Sequence, residues 1–284
     1  MKTFTRIWLG IALFAIGIGT ILLIITGISG VSIPYLATVS YQDTYSDVTS
    51  IDMEITFGEV KIIEGDTFSI KGERVPENSL ESYVDEDGTW VIRQNMDHMN
   101  LVDFMGLDLS VGNFLHWKGA RTSTITITVP HNFVADDISV EIKAGEVEAE
   151  RILAETGSFH VSTGRLVIDE LDIDEESDYR IGAGSMLLNK VSVKNITVDC
   201  GVGEVVIRGK VIGDNEVSCD IGSVEMYLEG EKDDYSYDIS ASIGNIDIDN
   251  NSYHGISERY INNDDTDNSI ALNCDIGNIS IDFY

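Results

Sequence analysis

The sequence predicts an all-β fold, a parallel β-solenoid of about seven coils with 19–22 residue repeats, preceded by one transmembrane helix. The first observation behind this is a recurring short phrase centred on glycine, as in Ile142-Lys-Ala-Gly-Glu-Val-Glu-Ala149 and Cys274-Asp-Ile-Gly-Asn-Ile-Ser-Ile281. Gly145, Gly164, Gly184, Gly203, Gly222, Gly244 and Gly277 follow at spacings of 19, 20, 19, 19, 22 and 33 residues, the last carrying an insertion. A period near 20 in β-branched sequence marks stacked units, each too thin to bury a core alone. The second observation is period-2 alternation on either side of each glycine. The third is an uncharged apolar run near the N-terminus.

The alternation fixes which residues face inward. Five and three residues before each glycine come apolar or small side chains such as Phe159 and Val161, and two and four after come others such as Leu166 and Ile168. Inward positions are odd before the glycine and even after it, so a bulge or sharp corner must restore the phase there. Each coil therefore reads as strand, glycine corner, second strand, then a polar turn or short third strand. Met53-Glu-Ile-Thr-Phe-Gly-Glu-Val-Lys-Ile62 puts Gly58 in the same frame, so the solenoid, or a cap pairing with it, starts near residue 50.

In chain order, residues 1–6 form a cytoplasmic stub and residues 7–29 a membrane anchor. The 23 residues from Ile7 to Ser29 carry no charge, enough for a helix across a hydrocarbon core of about 30 Å. Lys2 and Arg6 precede the run and no Lys or Arg follows until Lys61, which by the positive-inside rule places the N-terminus in the cytoplasm and the rest outside the cell membrane. A cleaved signal peptide is the alternative, but its apolar stretch would be shorter. Residues 30–47 read as a linker, 48–137 as an N-terminal β region and cap, and 138–284 as the solenoid repeats.

Two segments break the pattern. The loop 94–119 holds Met99, Phe104, Met105, Phe114 and Trp117 among its large apolar side chains, too many for a solvated connection. It reads either as a cap over the solenoid or as a partner or bilayer contact. Val167, Leu187 and Val206, three residues after their glycines, form an outward apolar patch that this loop or a partner could cover. The insertion 250–268 ends in an Asn- and Asp-rich run whose Asp264, Asp265 and Asp267 are weak calcium candidates. The run lacks the glycine and glutamate of an EF-hand loop, which favours a solvated acidic turn.

The 284-residue chain has a formal charge of −31, and so acidic a surface excludes direct nucleic-acid binding. Its physical use is solubility and protection of a β-rich surface from edge-to-edge association, with cation attraction as the sharper alternative. Cys200, Cys219 and Cys274 all fall three residues before a glycine, in one inward column, and read as core thiols. A Cys200–Cys219 disulfide between adjacent coils is the competing reading. The histidines are scattered singly, and His160 faces outward. No cofactor is expected.

An N-terminal anchor, a Thr-Ile-Thr-Ile-Thr-Val-Pro strand at residues 124–130 and tandem Gly-x-[Val/Ile/Leu]-x-[Val/Ile/Leu] coils together resemble the bacterial "putative adhesin" domain of unknown function, part of the toastrack superfamily of surface β-solenoids. The resemblance covers roughly residues 48 to 284 and rests on Gly145, Gly164, Gly203, Gly222, Gly244 and Gly277 in their frames. It implies a non-enzymatic envelope protein associated with adhesion or envelope stress, and it carries over no catalytic motif. The expected function is thus a membrane-anchored, extracytoplasmic, non-catalytic binding, adhesion or envelope-stress scaffold module whose partner is an unknown envelope protein or glycan. The alternative is a polysaccharide-acting β-helix enzyme, a lyase or hydrolase, for which Arg165, Arg180, Asp199 and Asp220 are the outward-facing candidates.

Overall fold

The computed structural model describes residues 38–95, 123–249, 251–254, 259–261, 263 and 266–284. The expected membrane helix, the loop residues Met99, Phe104, Met105, Phe114 and Trp117, and Asp264 and Asp265 lie outside them. Among the described residues no helix is long and apolar enough to cross a membrane. In chain order the strands are β1 (Thr38–Tyr45), β2 (Ser50–Gly65), β3 (Phe68–Pro76), β4 (Leu80–Val84), β5 (Thr89–Gln94), β6 (Thr124–Pro130), β7 (Ala135–Ala149), β8 (Ile152–Ile168), β9 (Leu171–Lys194), β10 (Ile196–Ile212), β11 (Asp214–Leu228), β12 (Tyr235–Ala241), β13 (Asn245–Ile248), β14 (Asn251–His254), β15 (Arg259–Ile261) and β16 (Asn268–Phe283).

The glycine frame sets the register. Gly58, Gly145, Gly164, Gly184, Gly203, Gly222 and Gly277 stand in line across parallel ladders from β2 through β7, β8, β9, β10 and β11 to β16. The inward residues on either side of that line, among them Val140, Phe159, Tyr179, Val198, Val217 and Leu272, are buried as one continuous core. Phe159 and Tyr179 stack with ring centroids 5.4 Å apart. The glycine requirement is steric as well as conformational. At Gly164 (φ +140°) and Gly203 (φ +155°) a Cβ would land on the carbonyl oxygen of the preceding rung's glycine, so no other residue closes the corner without separating the coils.

Spatial order departs from chain order at the C-terminal end. The sequence places the Gly244 coil after the Gly222 coil, but β16 lies between them, paired in parallel with β11 on one side and with β12 and β13 on the other. The chain leaves β11, lays down β12 and β13 one strand spacing further out, and returns through the 250–268 insertion to fill the gap. β16 thereby satisfies its backbone groups on both edges. Ahead of its Asn- and Asp-rich run the insertion carries β14 and β15, which pair antiparallel with β13 and β12 and cover the outermost rung.

The other end is built differently. β2 is itself a full coil, and the rung beyond it is assembled from two strands, β5 beside its first half and β6 beside its second. Gln94 and Ser123 end and resume this rung where a glycine corner would otherwise stand; Phe57 N donates to Gln94 Oε1 at 2.9 Å and Glu59 N to Ser123 O at 2.9 Å. Residues 38–45, read from sequence as linker, form β1, antiparallel to β3, which in turn pairs antiparallel with β6. Polar residues on this exposed strand hide its alternation. Trp90, fully buried, closes the end against Tyr45 and Phe68.

A third strand face completes each coil, with Leu171, Ile173, Val191, Val193 and Val211 pointing inward. The return from this face to the next coil is held by asparagines. Buried Asn215 accepts from Ile196 N at 3.1 Å and donates to Gly213 O and Ser269 O, both at 2.9 Å, while the Asn195 side-chain oxygen accepts from Asp214 N at 3.0 Å and that of Asn268 from Gly213 N at 2.9 Å.

Candidate binding faces

Because each outward column is a straight row of side chains about 4.8 Å apart, the outer faces can be followed column by column. Four residues before the glycines, β8, β9 and β10 bring His160, Arg180 and Asp199 side by side. Two residues before, β9 and β10 carry Gly182 and Gly201, so the floor drops to bare backbone, and Asp220 on β11 forms the far wall. The result is a shallow trough of about 230 Å³. Arg180 is held by Asp178 at 2.9 Å and by Asp199 at 3.6 Å. Of the residues suited to glycan chemistry, the structure gathers Arg180, Asp199 and Asp220 here and leaves Arg165 apart, paired with Glu146 at 2.9 Å. The trough's guanidinium is already committed to carboxylates and the whole is open to solvent, an arrangement that suits recognition better than acid–base chemistry.

Val167, Leu187 and Val206 do lie in register on β8, β9 and β10. The first two are half-buried and Val206 is buried. As an exposed docking patch this triad is therefore smaller than the sequence suggests. Two positions further along runs another outward row, in which Arg208 reaches Asn189 at 3.2 Å and lies over the Tyr227 ring. Asp267 is exposed, and among the described residues no group of three or more His, Cys, Asp or Glu side chains could hold a metal ion.

The three cysteines are free, buried and stacked on consecutive rungs, Cys200 beside Cys219 and Cys219 beside Cys274. The exchange of β16 with the last rung is what brings Cys274 next to Cys219. A thiol hydrogen bond from Cys219 lowers the pKa of Cys200 and raises that of Cys219, and burial pushes Cys274 up to about 11. Burial likewise raises Tyr179, and pushes Tyr235 up to about 12. These shifts belong to side chains facing the core, which makes them packing residues.

Sequence reasoning missed the column at the corner itself. The residue just before each glycine belongs to neither side of the alternation, because the phase changes there. In spatial order this column reads Phe57, Ala144, Thr163, Ala183, Val202, Ile221, Ile276 and Ile243. Its last four members form an aliphatic rail on neighbouring rungs, 51%, 49%, 50% and 77% exposed. The missing signal was the true rung order, which makes Ile276 the neighbour of Ile221.

Comparison with known structures finds matches of low identity. A putative adhesin from Bacteroides fragilis is 11% identical, covers 87% of this chain and 98% of its own, and has a TM-score of 0.45. A putative cell adhesion protein from Clostridium sporogenes is 12% identical with coverage of 87% and 100% and a TM-score of 0.36. A putative adhesin from Parabacteroides distasonis is 12% identical with coverage of 88% and 98% and a TM-score of 0.34. No curated protein matches the sequence. The Toastrack DUF4097 family model matches residues 48–282, in accord with the frame that Gly58 opens and Gly277 closes, and the chain belongs to that family.

Proposed function

We propose that this chain is a non-catalytic binding or adhesion module, anchored in the cell membrane by residues 7–29 with its solenoid on the extracytoplasmic side. The observation that carries the reading is the stack of in-register rungs, which turns single residues into long outward rows while the shifted ionisable groups of the interior serve packing. The adhesin names of the matched structures are compatible with it, as are the uncharged N-terminal run and the positive charges that precede it. The acidic surface favours an envelope protein or glycan over nucleic acid.

In cells, the full chain should fractionate with the membrane, and deletion of residues 7–29 should release it. Crosslinking of intact cells should capture a surface partner with the anchored protein. Turnover of an acidic or neutral glycan by the purified full chain, abolished by Asp220→Asn, would replace the binding module with an enzyme.

A further inference from the structure

The aliphatic rail at the glycine corner coincides with a run of rungs whose strands around the corner carry no basic side chain. Residues 195–207, 214–226, 237–248 and 268–281, which build the rungs of Val202, Ile221, Ile243 and Ile276, contain no lysine or arginine. The preceding four rungs carry Lys61, Lys143, Arg165 and Arg180 in the equivalent stretches. Beside the rail stand Asp220 and Asp275, each immediately before an isoleucine, and Glu204 across the corner from Val202. Among the described residues these three carboxylates make no ion pair. The rail spans three strand spacings, about 14 Å, with roughly half of each of three side chains and most of Ile243 in water.

The two properties together select the occupant. An exposed aliphatic row calls for an apolar surface, and carboxylates along it that lack an ion pair, Asp275 taking only a hydrogen bond from Ser242 Oγ at 3.3 Å, call for positive charge. A second copy of this chain would set Asp220 and Asp275 against their own like charges, and an anionic lipid surface would be repelled in the same way. We propose that the Val202–Ile221–Ile276–Ile243 rail is a docking surface for a cationic polypeptide segment that sets aliphatic side chains on the rail and lysine or arginine against Asp220, Asp275 and Glu204. This deepens the binding-module reading and rests on it.

The probe is a twelve-residue peptide with four isoleucines and four lysines, measured by fluorescence anisotropy against the purified full chain. Binding should be saturable and weaken with salt. It should fall at least tenfold when the peptide's isoleucines become serine, and vanish when its lysines become glutamate. Ile221→Ser/Ile276→Ser should lower binding at least tenfold while leaving the β circular dichroism intact, and Asp220→Asn/Asp275→Asn should flatten the salt dependence. Glu141→Gln/Glu146→Gln, on the rung of Lys143 and away from the rail, should change neither. No binding to the native chain, or equal binding to the serine variant, overturns the proposal. So does a concentration-dependent dimer abolished by Ile221→Ser/Ile276→Ser, which would make a second copy the occupant. If the rail fails while surface crosslinking still captures a partner, the binding-module reading stands on another face; if both fail, that reading falls too.

Discussion

The two ends of the solenoid solve the same problem in opposite ways. A parallel stack leaves an open strand edge at each end, a template for unwanted pairing. At the N-terminal end the terminal rung is interrupted at its corner, with Gln94 and Ser123 standing where the glycine would be, and the antiparallel strands β1, β3 and β4 are added around it. At the C-terminal end the outermost rung keeps its glycine, Gly244, between β12 and β13 but lies out of chain order, with β16 inserted beneath it and short antiparallel strands laid outside. The regular coils need only the repeat; the ends need long-range pairings that no local period encodes.

The largest effect should come from the regular region that both ends protect. Gly203→Ala places a Cβ on the Gly184 carbonyl at a positive φ, and should cost on the order of 4 kcal/mol or more, enough to prevent folding. Gly244→Ala meets Gly277 O and Cys274 Sγ, each at 2.6 Å, with no positive φ, on the outermost glycine rung, which can shift. Its cost in chemical denaturation should be clearly smaller. Equal losses would mean that the end rung is as constrained as the middle.

Trp90→Ala removes the fully buried side chain that plugs the N-terminal end and its indole hydrogen bond to Ser82 Oγ at 2.9 Å. We expect a loss of about 3–5 kcal/mol, with hydrogen exchange accelerating in β4 and β5 before β16. Asn215→Ala, in the C-terminal half, removes the side-chain bonds to Ile196 N, Gly213 O and Ser269 O, leaving Gly213 O its bond from Ser269 N, and should cost about 1–3 kcal/mol, with faster exchange in β10, β11 and β16 instead. Reversal of either exchange pattern would show that the two ends do not loosen separately.

The smallest effect is electrostatic. Cys274 has its pKa raised from 9.0 to about 11 in the fold. Its contribution to stability is therefore complete below about pH 9 and is lost as pH rises from there to about 11, because the unfolded thiol ionises first. Cys219, also raised, acts in the same direction. Thermal melts across this range should show a shallower alkaline decline in Cys274→Ala than in the native chain; identical slopes would remove the thiol from the core.

The regular part of the molecule was legible from sequence because one constraint repeats. Gly145 through Gly222 must each clear a carbonyl, and the inward positions on both sides must be apolar. The polar residues of Thr38–Tyr45 concealed an edge strand, and Asn195 and Asn215 gave no sign that they hold the coil returns, since asparagine in a turn is ordinary. The rail escaped notice for a related reason: Ile221 and Ile276 are 55 positions apart in the chain, and only the insertion of β16 makes them neighbours. Arg180, Asp199 and Asp220 were visible as outward residues, but the Gly182 and Gly201 floor that joins them into a trough emerges only when the rungs are stacked.

The exchanged order of the last two glycine rungs is the claim on which the C-terminal end, the thiol row and the rail all depend. It is tested most directly by cysteine pairs on the exposed corner, where the native thiols are buried and silent. In the fold described here Ile221→Cys/Ile276→Cys places thiols on adjacent rungs, about 4.8 Å apart along the stack, and Ile221→Cys/Ile243→Cys places them two rungs apart. Mild oxidation of the folded chain should crosslink the first pair rapidly and leave the second reduced, as read by peptide mass mapping. Rapid crosslinking of 221 with 243 and not of 221 with 276 would contradict the account.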